Sequence, residues 1–480
     1  MSSTEHYQNY INGEFVAASS GDRIDVLNPA SGERLSTIPD SHAEDVNRAV
    51  AAAKAAQVEW ARKPAIERAG YLRRIAAKLR ENVPALARTI VAEQGKVMGL
   101  AEVEVNFTAD YLDYMAEWAR RIEGEVITSD RPDETIFLQR KPIGVVGGIL
   151  PWNFPFFLIA RKLAPALVTG NTIVIKPSEE TPNNAFEFAR LVAETDLPAG
   201  VFNLVAGKGA SGAALCENKD VGMISFTGSV ETGKRIMAAC AANVTKVNLE
   251  LGGKAPAIVT ANADVDLAVK AIRDSRIINT GQVCNCAERV YVERAVADEF
   301  LEKITAAMTN TQFGDPLQDA DIEMGPLVNR AGLDKVAAMV AAAKADGVNV
   351  LCGGNVVEDV AGHHYQPTVL QVDSNQHPLM QQEIFGPVLP VMIVDSLDEA
   401  LQYANDTEYG LTSSIFSRDA DEIMKACREL KFGETYVNRE HFEAMQGYHA
   451  GTRKSGIGGA DGKHGLYEYT ETQVVYWQSR

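Results

Sequence analysis

The feature that most limits the fold is an alternation of apolar runs and helix-forming segments between residues 142 and 229. Ile143-Gly144-Val145-Val146-Gly147-Gly148-Ile149-Leu150 reads as a buried strand, and a helix follows over Ala160 to Thr169. Thr172-Ile173-Val174-Ile175-Lys176 is a second strand, with a helix from Asn184 to Thr195. Gly200-Val201-Phe202-Asn203-Leu204-Val205 is a third strand; after one more helix, Gly222 to Ser229 opens the next unit. Strand and helix alternating at this spacing predict a parallel, doubly wound α/β sheet with right-handed crossovers. Such sheets bind ligands beyond the carboxyl ends of their strands, which is where Lys176 and Ser229 fall.

With 480 residues the chain is too long for one simple core. A second α/β region is expected from Gly252 to about Gly451. Its helices lie near Ala263 to Arg276, Ala295 to Asn310, Ala331 to Ala345 and Leu397 to Asn405. Its strands lie at Val290 to Val292, Val388 to Val394, Leu411 to Phe416 and Glu434 to Val437. Ahead of both regions, Ile11-Asn12-Gly13-Glu14-Phe15 is a hairpin signal. Ala-rich helices follow from Ala43 to Trp60, Ala65 to Asn82 and Val83 to Glu93, with Pro64 and Pro84 as breaks. In a fourth helix, Val105 to Gly124, Phe107, Tyr111, Tyr114 and Trp118 recur at helical spacing and read as a core face. Ile127 to Arg140 looks like a protruding hairpin, and the tail Gln473-Val474-Val475-Tyr476-Trp477 like an edge strand. Left unpaired, that tail invites aggregation, so pairing with another subunit is expected.

Charge narrows the partners. Basic residues number 46 against 64 acidic, a net charge of −18. This surface repels phosphate backbones, so neither nucleic acid nor an anionic membrane is expected. The polar start Met1 to Gln8 lacks a secretory pattern. No run approaches the roughly 18 apolar residues of a spanning helix, so a cytoplasmic location is expected. Six scattered cysteines predict free thiols. Cys284 and Cys286 are too close for a zinc knuckle, and His363-His364 reads as surface loop, so no metal site is expected.

Chemistry gathers around Gly281-Gln282-Val283-Cys284. A thiolate adds to an aldehyde to give a thiohemiacetal, and hydride loss to a nicotinamide gives a thioester. Hydrolysis then needs a general base, and the oxyanion needs donors such as an amide and a backbone N–H. Glu250 in Leu249-Glu250-Leu251-Gly252-Gly253-Lys254 supplies a carboxylate, and Asn153 in Pro151-Trp152-Asn153-Phe154-Pro155 an amide. For the dinucleotide, Gly207-Lys208-Gly209-Ala210-Ser211-Gly212 is a literal G-x-G-x-x-G but weak evidence among 38 glycines. Phe226-Thr227-Gly228-Ser229, leading into a helix, is a better phosphate cradle. Lys176 and Glu179 follow a strand; a carboxylate there can accept ribose hydroxyls and repel a 2′-phosphate, which points to NAD.

These motifs, with Lys176-Pro177-Ser178-Glu179 and Glu383-Ile384-Phe385-Gly386-Pro387-Val388, resemble the NAD(P)-dependent aldehyde dehydrogenase superfamily. They stand in that family's order over nearly the whole chain, and Glu250 precedes Cys284 by the 34 residues the family shows. The resemblance implies Cys284 as nucleophile, Glu250 as general base and Asn153 as oxyanion donor. It implies Lys176 and Glu179 on the adenosine ribose, Ser229 on the pyrophosphate, and Gly209 and Gly212 beside the adenine. Glu383 would hold the nicotinamide ribose, with Phe385 near the ring and Leu150 and Trp152 lining the cofactor site. It also implies an NAD-binding domain of residues 1–124 and 141–251, a catalytic domain of 252–455, and oligomerisation segments 125–140 and 466–480 that form a small β flap. A homo-oligomer, dimer or tetramer, is expected.

The stretch from Asn438 to Gly465, with Asn285 to Arg289 and Phe156 to Lys162, is similar to the members of that family that take lactaldehyde and glycolaldehyde. Arg161, Asn285, Glu443 and His449 would then wall a pocket whose polar groups pair with a substrate hydroxyl. Two other readings stay open. One is the same chemistry on another aldehyde, such as an aromatic one or succinate semialdehyde, whose carboxylate Arg161 could grip. The other is a non-enzymatic relative built on the same fold.

Overall fold

The structure, a computed structural model, describes residues 5–358 and 360–479. The first four residues of the polar amino-terminal segment, and Arg480 of the expected tail segment, lie outside the described residues. The alternation between residues 142 and 229 builds the predicted sheet. Its parallel centre runs, in space, Lys246–Glu250, Val221–Thr227, Val145–Ile149, Thr172–Lys176 and Phe202–Leu204. Chain order reverses between Val145–Ile149 and Val221–Thr227, so the crevice at that switch point opens beside Leu150 to Asn153 and Thr227 to Ser229. Antiparallel strands close both edges. On one side the hairpin Asn9–Ile11 and Glu14–Val16 turns through Asn12 and Gly13 at φ 54° and 83°, the left-handed pair that Asn-Gly favours. On the other, Gly456–Ile457 returns from far along the chain to pair with Leu249 and Glu250.

The second sheet has seven strands in the order Asn349–Cys352, Thr368–Gln371, Val388–Val394, Arg289–Glu293, Pro256–Val259, Thr412–Phe416 and Glu434–Val437, all parallel but the first. Three of these, Asn349–Cys352, Thr368–Gln371 and Pro256–Val259, carry four residues each and no strand signal strong enough to read from sequence. The amino-terminal helices are Ala43–Arg62, Ala65–Glu81, Val83–Gln94 and Met98–Glu117, with Pro64 and Pro84 at the expected breaks. The fourth differs from its expected span. It starts seven residues earlier, and after Glu117 it tightens into a single 3-10 turn, Trp118–Arg120.

Other expectations are corrected. The tail also has a partner in its own chain: Thr470–Gln478 pairs antiparallel with Glu134–Pro142, and Glu125–Thr128 completes a three-stranded sheet in which the tail remains an edge strand. The aromatic stripe divides. Tyr111 is buried in the core, but Phe107 reaches the cavity beside Cys284 and packs on Phe157 and Phe442. His364 is not a surface residue; it is 1% exposed, and neither ring nitrogen finds a partner among the described residues. Gly209 to Gly212, in the G-x-G-x-x-G match, forms the first turn of the helix Gly209–Glu217.

Candidate active site

Cys284 is delivered by a strained piece of backbone. The helix Val265–Ile277 runs into a 3-10 turn, Ile278–Gly281, in which Asn279, Thr280 and Gly281 hold φ at 48°, 60° and 72°. A left-handed residue with a Cβ costs about 1–2 kcal/mol. The surroundings hold it regardless. Arg276 Nη2 donates to Gly281 O and Nη1 to Ala287 O at 3.1 Å, while Thr280 Oγ1 donates to Gly325 O at 3.0 Å. Gln282 Nε2 donates to Asn279 O at 3.0 Å, and its Oε1 accepts from Val328 N–H at 2.9 Å. Gly281 is required on two counts: its φ is positive, and a Cβ there would stand 2.2 Å from Gly386 O. The turn leaves Cys284 half-buried, and among the described residues its backbone N–H has no acceptor. Cys286 is buried with its Sγ 3.0 Å from Arg276 Nη2, and burial pushes its thiol up to about 12. Burial raises Cys284 too, opposed by the nearby His449. Of the two sulfurs, only Cys284 faces open space.

Asn153 lies past the switch-point strand. Its Nδ2 donates to Gln282 O at 3.0 Å, which orients the amide; its second N–H has no acceptor among the described residues, and the residue lines the cavity with Cys284. Its own carbonyl is held from beneath by Lys96 Nζ at 2.9 Å and Asn279 Nδ2 at 3.0 Å. Lys96 forms a fully buried ion pair with Glu104, whose other oxygen accepts Phe156 N–H at 2.9 Å and Phe157 N–H at 3.1 Å. Breaking such a pair leaves an uncompensated buried charge. Lys96 and Glu104 carry no sequence signal, because their partner Asn153 is remote in the chain.

Glu250 ends the strand Lys246–Glu250, and neither carboxylate oxygen accepts a hydrogen bond among the described residues. His449 Nε2 is 3.5 Å from its Oε2. Burial pushes Glu250 up to about 7, opposed by His449, Arg161 and Lys162. Lys162 lies below, donating to Ser225 Oγ and Thr227 Oγ1 at 3.2 and 3.0 Å; burial draws it down to about 7.

Three compartments meet around these groups. One, about 70 Å³, is walled by Cys284 and Asn153, by Phe107, Phe157 and Phe442, and by Arg161, Asn285, Glu443 and His449. Three of the four polar residues, Arg161, Asn285 and Glu443, form one network with Asp461, and His449 stands beside it, paired with Glu434. Arg161 Nε donates to Asp461 Oδ1 at 3.0 Å, and its Nη2 to Asp461 Oδ2 and, at 3.1 Å, to Glu443 Oε1. Asn285 Nδ2 donates to Glu443 Oε2. Arg161 is therefore already paired twice. Asp461 is the member that sequence reading missed, although it lies inside the stretch ending at Gly465.

The second compartment, about 340 Å³, shares Cys284, Asn153 and Thr227 with the first and adds Glu250, Glu383 and Phe385. Glu383 Oε1 accepts Gly253 N–H at 2.8 Å, and Phe385 meets Trp152 edge-on at 5.4 Å between centroids. Glu288 braces this loop: it accepts Ile384 N–H at 3.2 Å and Phe385 N–H at 3.1 Å while paired with Lys254 and Arg276. The third compartment, about 570 Å³, continues past Trp152 and Ser229 to Leu150, Lys176, Glu179, Gly209 and Gly212. A dinucleotide fits this groove. Ser229 caps the helix Val230–Cys240, whose first N–H groups suit a pyrophosphate. A Cβ at Gly209 would meet nothing within 4 Å, and one at Gly212 only Lys176 Cδ at 3.9 Å, so both glycines border room for a ring. Lys176 Nζ lies 3.2 Å from Glu179 Oε2.

A thiol between a small cavity with aromatic and polar walls and a long dinucleotide groove suits aldehyde oxidation, and the chain belongs to the aldehyde dehydrogenase family, whose model matches residues 15–475. The chain is 58% identical, over all 480 residues and the full length of both chains, to lactaldehyde dehydrogenase of Escherichia coli strain K12. A crystal structure of lactaldehyde dehydrogenase from Escherichia coli superposes with a TM-score of 0.98 at 58% identity, covering 99% of this chain and 100% of that one. The 3,6-anhydro-alpha-L-galactose dehydrogenase of Vibrio sp. strain EJY3 is 42% identical over 98% of this chain and 99% of its own.

Proposed function

We propose that the protein oxidises short hydroxyaldehydes, lactaldehyde and glycolaldehyde, to their acids with NAD. One observation carries the substrate class: a cavity of about 70 Å³ beside Cys284 offers hydrogen-bonding groups from Glu443, His449 and Asn285 at one wall and aromatic rings at another. A two- or three-carbon aldehyde with one hydroxyl matches that mixture. Arg161, held by Asp461 and Glu443, has little charge left for an anionic substrate, which argues against succinate semialdehyde.

Cys284 attacks the aldehyde carbon, and the free N–H of Asn153 with the Cys284 backbone N–H receives the oxyanion. One such donor is worth about 10²–10³ in rate. NAD, when bound in the groove, supplies the hydride acceptor. Glu383, Phe385 and Trp152 would orient its reactive end, Ser229 and the helix behind it would hold the pyrophosphate, and Lys176 and Glu179 would take the adenosine ribose. Loss of hydride leaves a Cys284 thioester. Glu250 then takes a proton from water, the water attacks the thioester carbon, and the acid leaves as the Cys284 C–S bond breaks. A 2′-phosphate would meet the Glu179 carboxylate, and Arg235 in the same groove is already 3.4 Å from Glu231, which supports NAD over NADP.

The first sheet with its helices is proposed as the cofactor domain and the second as the catalytic domain. The three-stranded sheet is proposed as the contact of a cytoplasmic homo-oligomer. No helix among the described residues is long and apolar enough to cross a membrane.

A panel of lactaldehyde, glycolaldehyde, propionaldehyde and succinate semialdehyde, each with NAD and NADP, tests this reading by kcat/KM. The hydroxyaldehydes should exceed propionaldehyde by at least about tenfold. Succinate semialdehyde should be poorest, and Cys284→Ala should form no NADH. Preference for succinate semialdehyde, or NADH from Cys284→Ala, would sink the proposal.

A further inference from the structure

Glu434 plays no part in the scheme above, yet it is wired into it. It opens the strand Glu434–Val437, and Tyr436, two residues on, points to the same face and donates its hydroxyl to Glu434 Oε2. Glu434 Oε1 takes His449 Nδ1. His449 is pinned in turn: its N–H donates to Ala460 O at 3.0 Å, and its carbonyl accepts from Ala460 N–H at 2.8 Å. With Nδ1 committed to Glu434, Nε2 faces Glu250 at 3.5 Å.

We propose that Glu434 is a positioning residue: by binding Nδ1 it holds His449 as an imidazolium against Glu250 and so keeps the deacylation base ionised. The inference rests on Glu250 being that base. A carboxylate buried without a single hydrogen-bond donor reverts to the neutral acid unless a cation stands close. His449 is that cation. Burial and Arg161 oppose its charge, and the two carboxylates Glu250 and Glu434 together with the Cys284 sulfur outweigh them, holding the imidazole well above its ordinary range. The other groups facing the pair are Arg161 and Lys162 from the helix Phe157–Thr169, Asp461, Glu443, and the phenols of Tyr448 and Tyr469. Arg161 is spent on Asp461 and Glu443, and Lys162 on two hydroxyls. That leaves His449 as the cation in direct contact with Glu250.

Glu434→Gln keeps an acceptor for Nδ1 and removes the charge. Single-turnover deacylation of the acyl-enzyme, followed from pH 5.5 to 9, should show its acid limb moved up by about one pH unit. The rate should fall about tenfold at pH 6 and be nearly unchanged at pH 9. Tyr436→Phe, which removes one bond to Glu434, should move the limb the same way by less, and it stands in if Glu434→Gln does not fold. A uniform loss at every pH, or a limb that stays in place, overturns the proposal. So does a shift confined to the pH profile of Cys284 alkylation by iodoacetamide, because the imidazole would then serve the thiol. Glu250→Gln separates the two levels. A burst of about one NADH per site followed by a stall upholds the base, and normal turnover removes the base and this inference together.

Discussion

Glu250 and Glu443 are both buried carboxylates beside His449, and their surroundings drive them apart. Glu443 accepts from Arg161 and Asn285, and although burial pushes it up, His449 and Arg161 outweigh that and hold it below the usual carboxylate range. Glu250 has no donor among the described residues, and burial wins, raising it to about 7. As the proposed base, Glu250 works as the anion. A folded-state value near 7 therefore makes deacylation fall as pH drops, by about tenfold per unit below 7, and level off above about 8. Wild-type kcat measured across pH 5.5 to 9 with deacylation limiting checks this; a flat profile down to pH 5.5 would contradict it. At this scale the sequence was most legible. A thiol, a carboxylate and an amide in three ordered motifs carry their chemistry in their residue types. Glu434, Lys96 and Asp461 do not, since what gives them a role is a partner 15, 57 or 300 residues away.

Among the elements, the turn Ile278–Gly281 does most to place Cys284, the proposed nucleophile. Its left-handed residues could not be read from sequence, because Asn279 tolerates that conformation and Thr280 resists it; Arg276 and Gln282 decide the matter from outside. Gly281→Ala would force a Cβ against Gly386 O and shift the Cys284 side chain. A displacement near 1 Å costs about 10²-fold, so kcat should fall by that order and the melting temperature should drop with it. Calorimetry together with steady-state kinetics tests both; wild-type kcat in Gly281→Ala would show that the turn tolerates repositioning. The parallel strands at the switch point were legible because burial on both faces gives continuous apolar runs. Short strands such as Pro256–Val259 were not, and neither was the early start at Met98, where Gly99 weakens the helical pattern.

For the molecule as a whole, the three-stranded sheet stands out by what it exposes. Val126 is 72%, Tyr476 66% and Trp477 62% accessible, on strands that pack against little else in their own chain. Val126 and Trp477 lie on one face of the sheet and Tyr476 on the other; apolar side chains left exposed in this way suit a contact with another subunit, which is where we propose it. Removing the residues after Thr470 should lower the mass measured by light scattering to that of a smaller assembly; an unchanged mass would place the subunit contact elsewhere. The tail's apolar character was plain in the sequence. Its partner was not, since a strand edge can be met by its own chain or by another, and here Glu134–Pro142 meets it first.

The network around the small cavity has a further consequence. Glu250, Glu434, Glu443 and Asp461 face the cations Arg161 and His449, with Lys162 joining only as pH falls toward about 7. The aldehyde enters this enclosure neutral, but the acid becomes an anion where, even with Glu250 carrying the proton taken from water, the carboxylates Glu434, Glu443 and Asp461 face only the two cations Arg161 and His449 among the described residues. The field that lets an uncharged substrate settle therefore pushes the finished product out and opposes its return, which gives the reaction an electrostatic ratchet at the exit.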